Sequence, residues 1–490
     1  MQPASSTATP ASLQASPHPS LREWPRWLLA ALLIWHLLLW VLLPALSYEM
    51  LPLDTAELLG WGQEWQLGYY KHPPLGPWLG EAVFQLSGQL PESLYLLAQL
   101  AVLLTLYYVW RTARLALPAQ AAIVATLLLE VSYFHTVLTP NFNMNSLQLP
   151  IWAAMGFHFL RALQGADRHW LWLAAWSAAA LLTKYSGALL LLAFALILVF
   201  DRRLWPPWRN PWIWGGALLA LFLISPHILW LTDNWRLPAA YLQRFDAQGT
   251  GDWTAHVIEP FRFAIGALAG MLLCLLATLT LVGKLRVGVA GSREIRWISL
   301  ICFLPLLLAM LYGAVSGSRL KSTWAFPFFN LLGVVLVTWV PLTLSNQRLR
   351  VFGLALSLSM LALTAAHLLY KTRSSQSKTV FDGAALALAV EQAWQERFDQ
   401  PLRIVAADHI LSAIVSTYAP SRPSMLIEGR YDYSPWLNQT DLQRFGAAVV
   451  CEEGSSCLHD RLSIDGEPVE LQVQDRRFQL WLIAPGGGRP

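Results

Sequence analysis

Trp27-Leu28-Leu29-Ala30-Ala31-Leu32-Leu33-Ile34-Trp35-His36-Leu37-Leu38-Leu39-Trp40-Val41-Leu42-Leu43-Pro44-Ala45-Leu46 holds one imidazole and no Asp, Glu, Lys or Arg. A run of about 20 apolar residues spans the hydrocarbon core of a bilayer, whereas a signal-peptide core has only about 7–15. With Arg22 and Arg26 just before it, the stretch reads as an uncleaved first transmembrane helix. Further membrane-length runs lie near 94–111, 118–138, 146–163, 169–184, 186–200, 211–231, 260–283, 297–315, 322–341 and 351–370, so about 11 transmembrane helices are expected.

The composition agrees with a polytopic membrane protein. At 490 residues, 55% hydrophobic and 13% charged, the chain is too apolar for a soluble enzyme and too long for one compact domain. The net charge of +4 is small and the basic residues are scattered in short clusters, so the concentrated basic face of a nucleic-acid binder is missing. Trp24, Trp27, Trp205, Trp208 and Trp235 stand where apolar runs meet polar loops, the headgroup level that indoles favour.

Alternate connections carry Arg22/Arg26, Arg111/Arg114, Arg161/Arg168, Arg202/Arg203/Arg209, Lys284/Arg286/Arg293/Arg296 and Arg348/Arg350. The positive-inside rule makes that side cytoplasmic. The acid-rich loop 47–93, the turn Thr139 to Asn145, the loop 232–259 and the turn Gly317 to Lys321 then face outward. Residues 1–20, rich in Ser, Pro, Ala and Thr, read as a disordered cytoplasmic tail, and 21–370 as the transmembrane catalytic domain. After Tyr370, dense charge, short alternating segments (Arg403 to Ala406, Ala447 to Val450, Glu470 to Val473) and a helix-like stretch near 383–398 mark a soluble α/β domain. An odd number of spans and an inward N-terminus place this domain, 371–490, in the periplasm of a cell with two membranes. Cys451 and Cys457 can close a small loop there if the compartment is oxidising, or stay as free thiols.

Charges at the mouth of a membrane domain are expensive and so point to a site. Just beyond the first span come Leu53-Asp54-Thr55-Ala56-Glu57 and then Tyr70-Lys71-His72-Pro73-Pro74-Leu75. Asp54 and Glu57 share a face if their segment is helical. A partly dehydrated carboxylate is a better proton acceptor for an attacking hydroxyl, although Asp54 can equally cap the helix that starts at Thr55. Lys71 and His72, stiffened by the Pro-Pro pair, suit a phosphate, as would Lys184, Arg319 and Lys321 on the same side; each alone can also be an interface anchor. Asn141, Asn143 and Asn145 offer amides that either bind a sugar or shape a turn. Glu130 and His135 lie in the third span without an assignable role. There is no Gly-rich phosphate loop, no His-Glu-x-x-His and no nucleophile elbow, and no cytoplasmic loop is large enough for a nucleotide-binding domain.

Asp54-Thr55-Ala56-Glu57, the run Gly68 to Leu75 with Trp78-Leu79 behind it, Thr183-Lys184-Tyr185-Ser186 and the order of spans together resemble the bacterial family-39-type (dolichyl-phosphate-mannose mannosyltransferase-like) glycosyltransferases. That group includes the aminoarabinose transferases acting on lipid A, and the likeness covers about residues 25–370. It implies a GT-C membrane fold, a polyprenyl-phosphate sugar donor, an envelope lipid or glycan acceptor, and inverting transfer on the outer face of the inner membrane. By the same resemblance Asp54 matches the acidic position implicated in catalysis, as base or acceptor-orienting group, with Glu57 its supporter and His72 the phosphate-facing residue. Lys71 stands where lipid A enzymes carry an acid, which weakens the case for a metal ligand there and for lipid A itself as the acceptor. No cofactor is required by this reading. A lipid-linked saccharide flippase is the alternative, since it too needs many spans and a basic cavity but no positioned base.

Overall fold

The computed structural model describes residues 26–204, 209–246, 253–282, 293–340, 342, 345–373, 381–454, 457–458, 462 and 467–487. The N-terminal tail expected at 1–20 lies outside these residues, as do Lys284 and Arg286. Helix occurs in each of the expected apolar runs. Five helices among the described residues are long and apolar enough to cross a membrane: Ala30–Ser47, Ser93–Ala113, Pro211–Asn234, Arg293–Ser316 and Gln347–Tyr370. A sixth results if Trp253–Ala269 and Leu272–Leu279, bent by 48° against each other, count as one span.

The other runs depart from a simple span for visible reasons. His169–Thr183 and Gly187–Phe200 are 15 and 14 residues long, too short at about 1.5 Å per residue to cross the hydrocarbon core upright. The run 118–138 is helical only over Ala119–Leu127 and tightens into a 3-10 turn at Leu128–Val131. The run 322–341 has a 3-10 turn, Ser322–Ala325, before the helix Leu332–Trp339.

Met144–Leu163 is buried along almost its whole length and packs against Ser93–Ala113 and His169–Thr183 at the centre of the bundle. Several polar groups withdrawn into this interior are paired with one another, which offsets the cost of burying them at low dielectric. His36 Nδ1 meets Glu130 Oε2 at 2.7 Å, His36 Nε2 meets Gln99 Oε1 at 3.0 Å, and Gln99 reaches Thr139 Oγ1 at 3.3 Å. His135 Nε2 meets Asn330 Oδ1 at 3.0 Å. Glu130 and His135 are thus part of the framework that holds the turn after Thr139.

The loop after the first span folds into two helices, Leu53–Gly62 and Leu75–Leu86. They cross at Gly62, where a Cβ would stand 2.5 Å from the Pro77 carbonyl oxygen, so only glycine permits the approach. On top of them sits the α/β domain. Its strands are β1 (Ile404–Ala407), β2 (Ser424–Ile427), β3 (Ala447–Glu452), β4 (Val469–Val473) and β5 (Arg476–Ile483), in the order β2-β1-β3-β5-β4. β1 runs parallel to both β2 and β3, whereas β5 is antiparallel to β3 and β4. Three of these strands were expected from alternation; β2 and β5 were not. A disulfide joins Cys451 at the end of β3 to Cys457.

The helix His409–Tyr418, which follows β1, packs directly on Leu53–Gly62. Leu51 N donates to the Tyr418 hydroxyl at 2.6 Å, and Gln63 Nε2 donates to Ser416 Oγ at 2.8 Å. Arg422 forks onto Glu81 with Nη1 to Oε1 at 2.7 Å and Nη2 to Oε2 at 2.9 Å; their side chains are 11% and 2% exposed. Removing one member of such a pair strands the other. Arg422→Met is expected to destabilise the assembly by about 3–5 kcal/mol, read as a lower thermal midpoint of the detergent-purified protein. The double variant Glu81→Met/Arg422→Met recovers most of that loss.

Candidate functional site

Asp54 lies in the first turn of Leu53–Gly62, after Pro52 has set the entry of the chain, and its side chain makes no cap to that helix. The capping role open to it in the sequence is not the one it plays. Its carboxylate is exposed and accepts two amide donors on one oxygen, Oδ2, from Asn141 Nδ2 at 3.1 Å and Asn143 Nδ2 at 3.0 Å. Both amides are themselves oriented from behind. Thr55 Oγ1 lies 3.0 Å from Asn141 Oδ1 and 3.0 Å from Phe142 O, which turns the Asn141 NH2 toward Asp54. Asn143 Oδ1 accepts from the backbone N–H of Asn145 at 2.8 Å and of Ser146 at 3.1 Å, capping the long central helix. One amide therefore shapes the turn and holds the carboxylate at once.

The expectation that Glu57 supports Asp54 is changed by the geometry. Glu57 Oε1 is 2.6 Å from Lys71 Nζ, and each side chain is 12% exposed. Burial pushes the Glu57 carboxyl up, opposed by the charges of Lys71 and His409, while Asp54 adds a smaller upward push. Lys71 also lies among aromatic faces, its Nζ 5.2 Å from the Tyr70 centroid, 5.6 Å from Trp61 and 5.9 Å from Tyr241. Half-buried His72 stands with its ring 6.2 Å from both Trp61 and Tyr241. Its imidazole is held well below the usual histidine range, first by burial and then by Lys184 and Lys71.

Lys184 sits in the break between His169–Thr183 and Gly187–Phe200. Its Nζ donates to Asn145 Oδ1 at 2.7 Å and lies 5.1 Å from the Trp324 ring centroid. It feels the charges of Asp54 and Lys321, so the turn 317–321 brings Lys321 to the same region. Arg319 is engaged elsewhere, 3.9 Å from Glu259 Oε2. The structure therefore gathers Asp54, Asn141, Asn143, Lys71, His72, Lys184 and Lys321 into one neighbourhood, with Glu57 joined to Lys71 and Arg319 drawn to Glu259. Among the described residues no group of three or more His, Cys, Asp or Glu could hold a metal ion.

Sequence reasoning missed Thr55, Trp61, Tyr241 and His409. His409 lies more than three hundred residues from Glu57 and leaves no local signal.

Asn143→Ala removes the helix cap, with an expected cost of about 1 kcal/mol and a lower thermal midpoint.

Residues 71–230 match the family described as dolichyl-phosphate-mannose-protein mannosyltransferase. The chain is 27% identical over 296 residues to the lipopolysaccharide core galacturonosyltransferase of Rhizobium johnstonii, across 58% of this chain and 59% of that protein. It thus spans about three fifths of the length of that curated relative. The crystal structure of ArnT from Cupriavidus metallidurans bound to undecaprenyl phosphate superposes with a TM-score of 0.65 at 14% identity, covering 93% of this chain and 97% of that one. The apo state of ArnT gives 0.62 at 14% identity with the same coverage, 93% and 97%. The fold is of the GT-C type, and the chain is similar to the family-39-type glycosyltransferases, as its loop-one residues indicated.

Proposed function

We propose that this chain is an inverting membrane glycosyltransferase that moves a sugar from a polyprenyl-phosphate donor to an envelope lipid or glycan acceptor on the outer face of the inner membrane. The observation that carries the reading is that an amide-clasped, exposed Asp54 shares one neighbourhood with the basic side chains Lys71, His72, Lys184 and Lys321. ArnT in complex with undecaprenyl phosphate and a galacturonosyltransferase of lipopolysaccharide core support the same donor and acceptor classes. The Cys451–Cys457 bridge agrees with an oxidising compartment around the α/β domain, hence with a periplasmic placement.

In the proposed step the acceptor hydroxyl hydrogen-bonds to the Asp54 carboxylate and attacks the anomeric carbon. The bond from that carbon to the phosphate oxygen breaks, its electron pair leaves with the polyprenyl phosphate, and the acceptor proton passes to Asp54. Asn141 and Asn143 keep Oδ2 occupied, which turns Oδ1 to the incoming hydroxyl. The cations stabilise the charge that grows on the leaving phosphate, an effect strongest where water is excluded. Lys71 is held ready by Glu57 and approaches the phosphate from that pairing. Attack opposite the leaving group inverts the anomeric centre.

Loss of a positioned general base typically lowers the rate about 10²–10⁴-fold. Purified Asp54→Asn, incubated with polyprenyl-phosphate sugars and envelope lipids, is therefore expected to lose kcat on that scale while binding donor as wild type does. Undiminished transfer, or a product that keeps the donor's anomeric configuration, removes this mechanism, and translocation without any transfer favours a flippase.

A second expectation concerns pH. The His72 imidazole is neutral at neutral pH in the free protein, because burial and the two lysines disfavour its cation. A phosphodiester anion reverses that preference, and the diester itself does not titrate. Donor affinity should accordingly strengthen as pH falls below neutrality, and His72→Gln should flatten the profile; a wild-type profile already flat would take His72 off the phosphate.

A further inference from the structure

Three separate parts of the chain meet around Tyr70, the residue before Lys71. Tyr433, in the segment after β2, stacks on the Tyr70 ring with centroids 4.2 Å apart and planes at 9°. Tyr241, on the helix Arg236–Asp246, stands edge-on to Tyr70 at 6.4 Å. Arg244 of that same helix donates to the Tyr433 hydroxyl, and Arg430 lays its guanidinium 3.8 Å from the Tyr433 ring centroid.

The topology explains how a soluble domain reaches this place. β1 lies between its two parallel neighbours β2 and β3, and the chain leaves β2 to cross over to β3, so the carboxyl end of β1 is the point where the winding reverses. Ligand-facing groups of such sheets gather at that edge. Here the edge is turned toward the first loop. His409, just after β1, is close enough to Glu57 to favour its carboxylate, and Glu428, just after β2, acts on the Tyr70 phenol. Glu428 also adopts a left-handed backbone, φ 53°, followed by Gly429 at 63°. A non-glycine residue in that region is strained, and strain of this kind concentrates where a segment must be aimed. The turn it forms leads the chain to Arg430 and Tyr433.

We infer that Tyr433 is a positioning residue for the donor phosphate: by stacking on Tyr70 it fixes the Tyr70-Lys71-His72 segment, so the α/β domain sets donor affinity without touching the sugar. The inference rests on the polyprenyl-phosphate reading of the site. A ring stacked on Tyr70 restricts the backbone that carries Lys71, and Lys71 Nζ lies 5.2 Å from the same Tyr70 centroid. Freed from Tyr433, that segment would have to be ordered by the phosphate itself, and the ordering cost would appear as lost affinity.

The experiment measures binding of a polyprenyl phosphate, and donor KM and kcat, for the full-length wild type, Tyr433→Phe and Tyr433→Ala in detergent. Aromatic pairs contribute about 0.5–1.5 kcal/mol beyond their buried area, so Tyr433→Ala should weaken binding and raise donor KM about two- to twelvefold with kcat nearly unchanged. Tyr433→Phe, which keeps the stack and loses the Arg244 bond, should stay within about twofold on the same grounds. If Tyr433→Ala does not fold, Tyr433→Leu takes its place in the comparison. Unaltered donor binding by the ringless variant overturns the inference, as does an equal loss in the Phe variant or a fall in thermal midpoint and kcat that leaves donor KM in place. A wild type that binds no polyprenyl phosphate overturns the functional reading itself and this inference with it.

Discussion

A charged or amide group at the mouth of a bilayer is too costly to leave without a partner, and around this site the partners come from different segments. Asp54 is held by amides nearly ninety residues away, Lys71 by Glu57, Lys184 by Asn145, and Glu81 by Arg422 of the α/β domain. Each pairing ties a short, poorly self-sufficient element to the rest. The helices Leu53–Gly62 and Leu75–Leu86 could not bury their polar residues alone, so the site takes shape only when bundle, first loop and α/β domain are assembled.

Within that frame the two carboxylates of the first loop are used differently because their surroundings differ. Asp54 is exposed and takes two neutral donors on one oxygen. Glu57 is mostly buried, pushed toward its neutral form by burial and drawn back by Lys71 and His409. In the proposed mechanism one accepts a proton, while the other holds a cation in place. Lys71 between them cannot be a bare surface charge. Its ammonium is lined by Trp61, Tyr70 and Tyr241, which limit where it can go when an anion arrives.

How far the chain could be read in advance follows from the range of each signal. Apolar periodicity is local, so runs such as 211–231 and 297–315 map onto the helices Pro211–Asn234 and Arg293–Ser316 with little change. Hydropathy says nothing of where a helix breaks, and it passed smoothly over the 3-10 turns at Leu128–Val131 and Ser322–Ala325. The C-terminal strands β1, β3 and β4 announced themselves by short apolar or alternating stretches, while β2 and β5 were not expected. At the site, Asp54, Lys71, His72 and Lys184 were legible because a charge beside an apolar run needs a reason. Their partners were not, since the pairing of Glu57 with Lys71 and the two-amide clasp on Asp54 are decided by tertiary approach. The same holds for Arg319, which looks like Lys321 in sequence and is drawn instead to Glu259.

The α/β domain is the part whose task the sequence left most open, and the contacts of its first parallel strands argue that it is no appendage. A domain merely tethered to a bundle would meet it through an exposed, polar interface. This one places the helix His409–Tyr418 on the helix that carries Asp54 and Glu57, accepts the Leu51 N–H on a tyrosine hydroxyl, and buries an arginine fork against Glu81. Because Leu53–Gly62 is gripped on one face by the bundle and on the other by this domain, the carboxylates cannot shift without disturbing both. In the proposed mechanism, rigidity of that kind would hold the carboxylate and the basic side chains in place before any substrate arrives, so that little reorganisation is left for the reaction to supply.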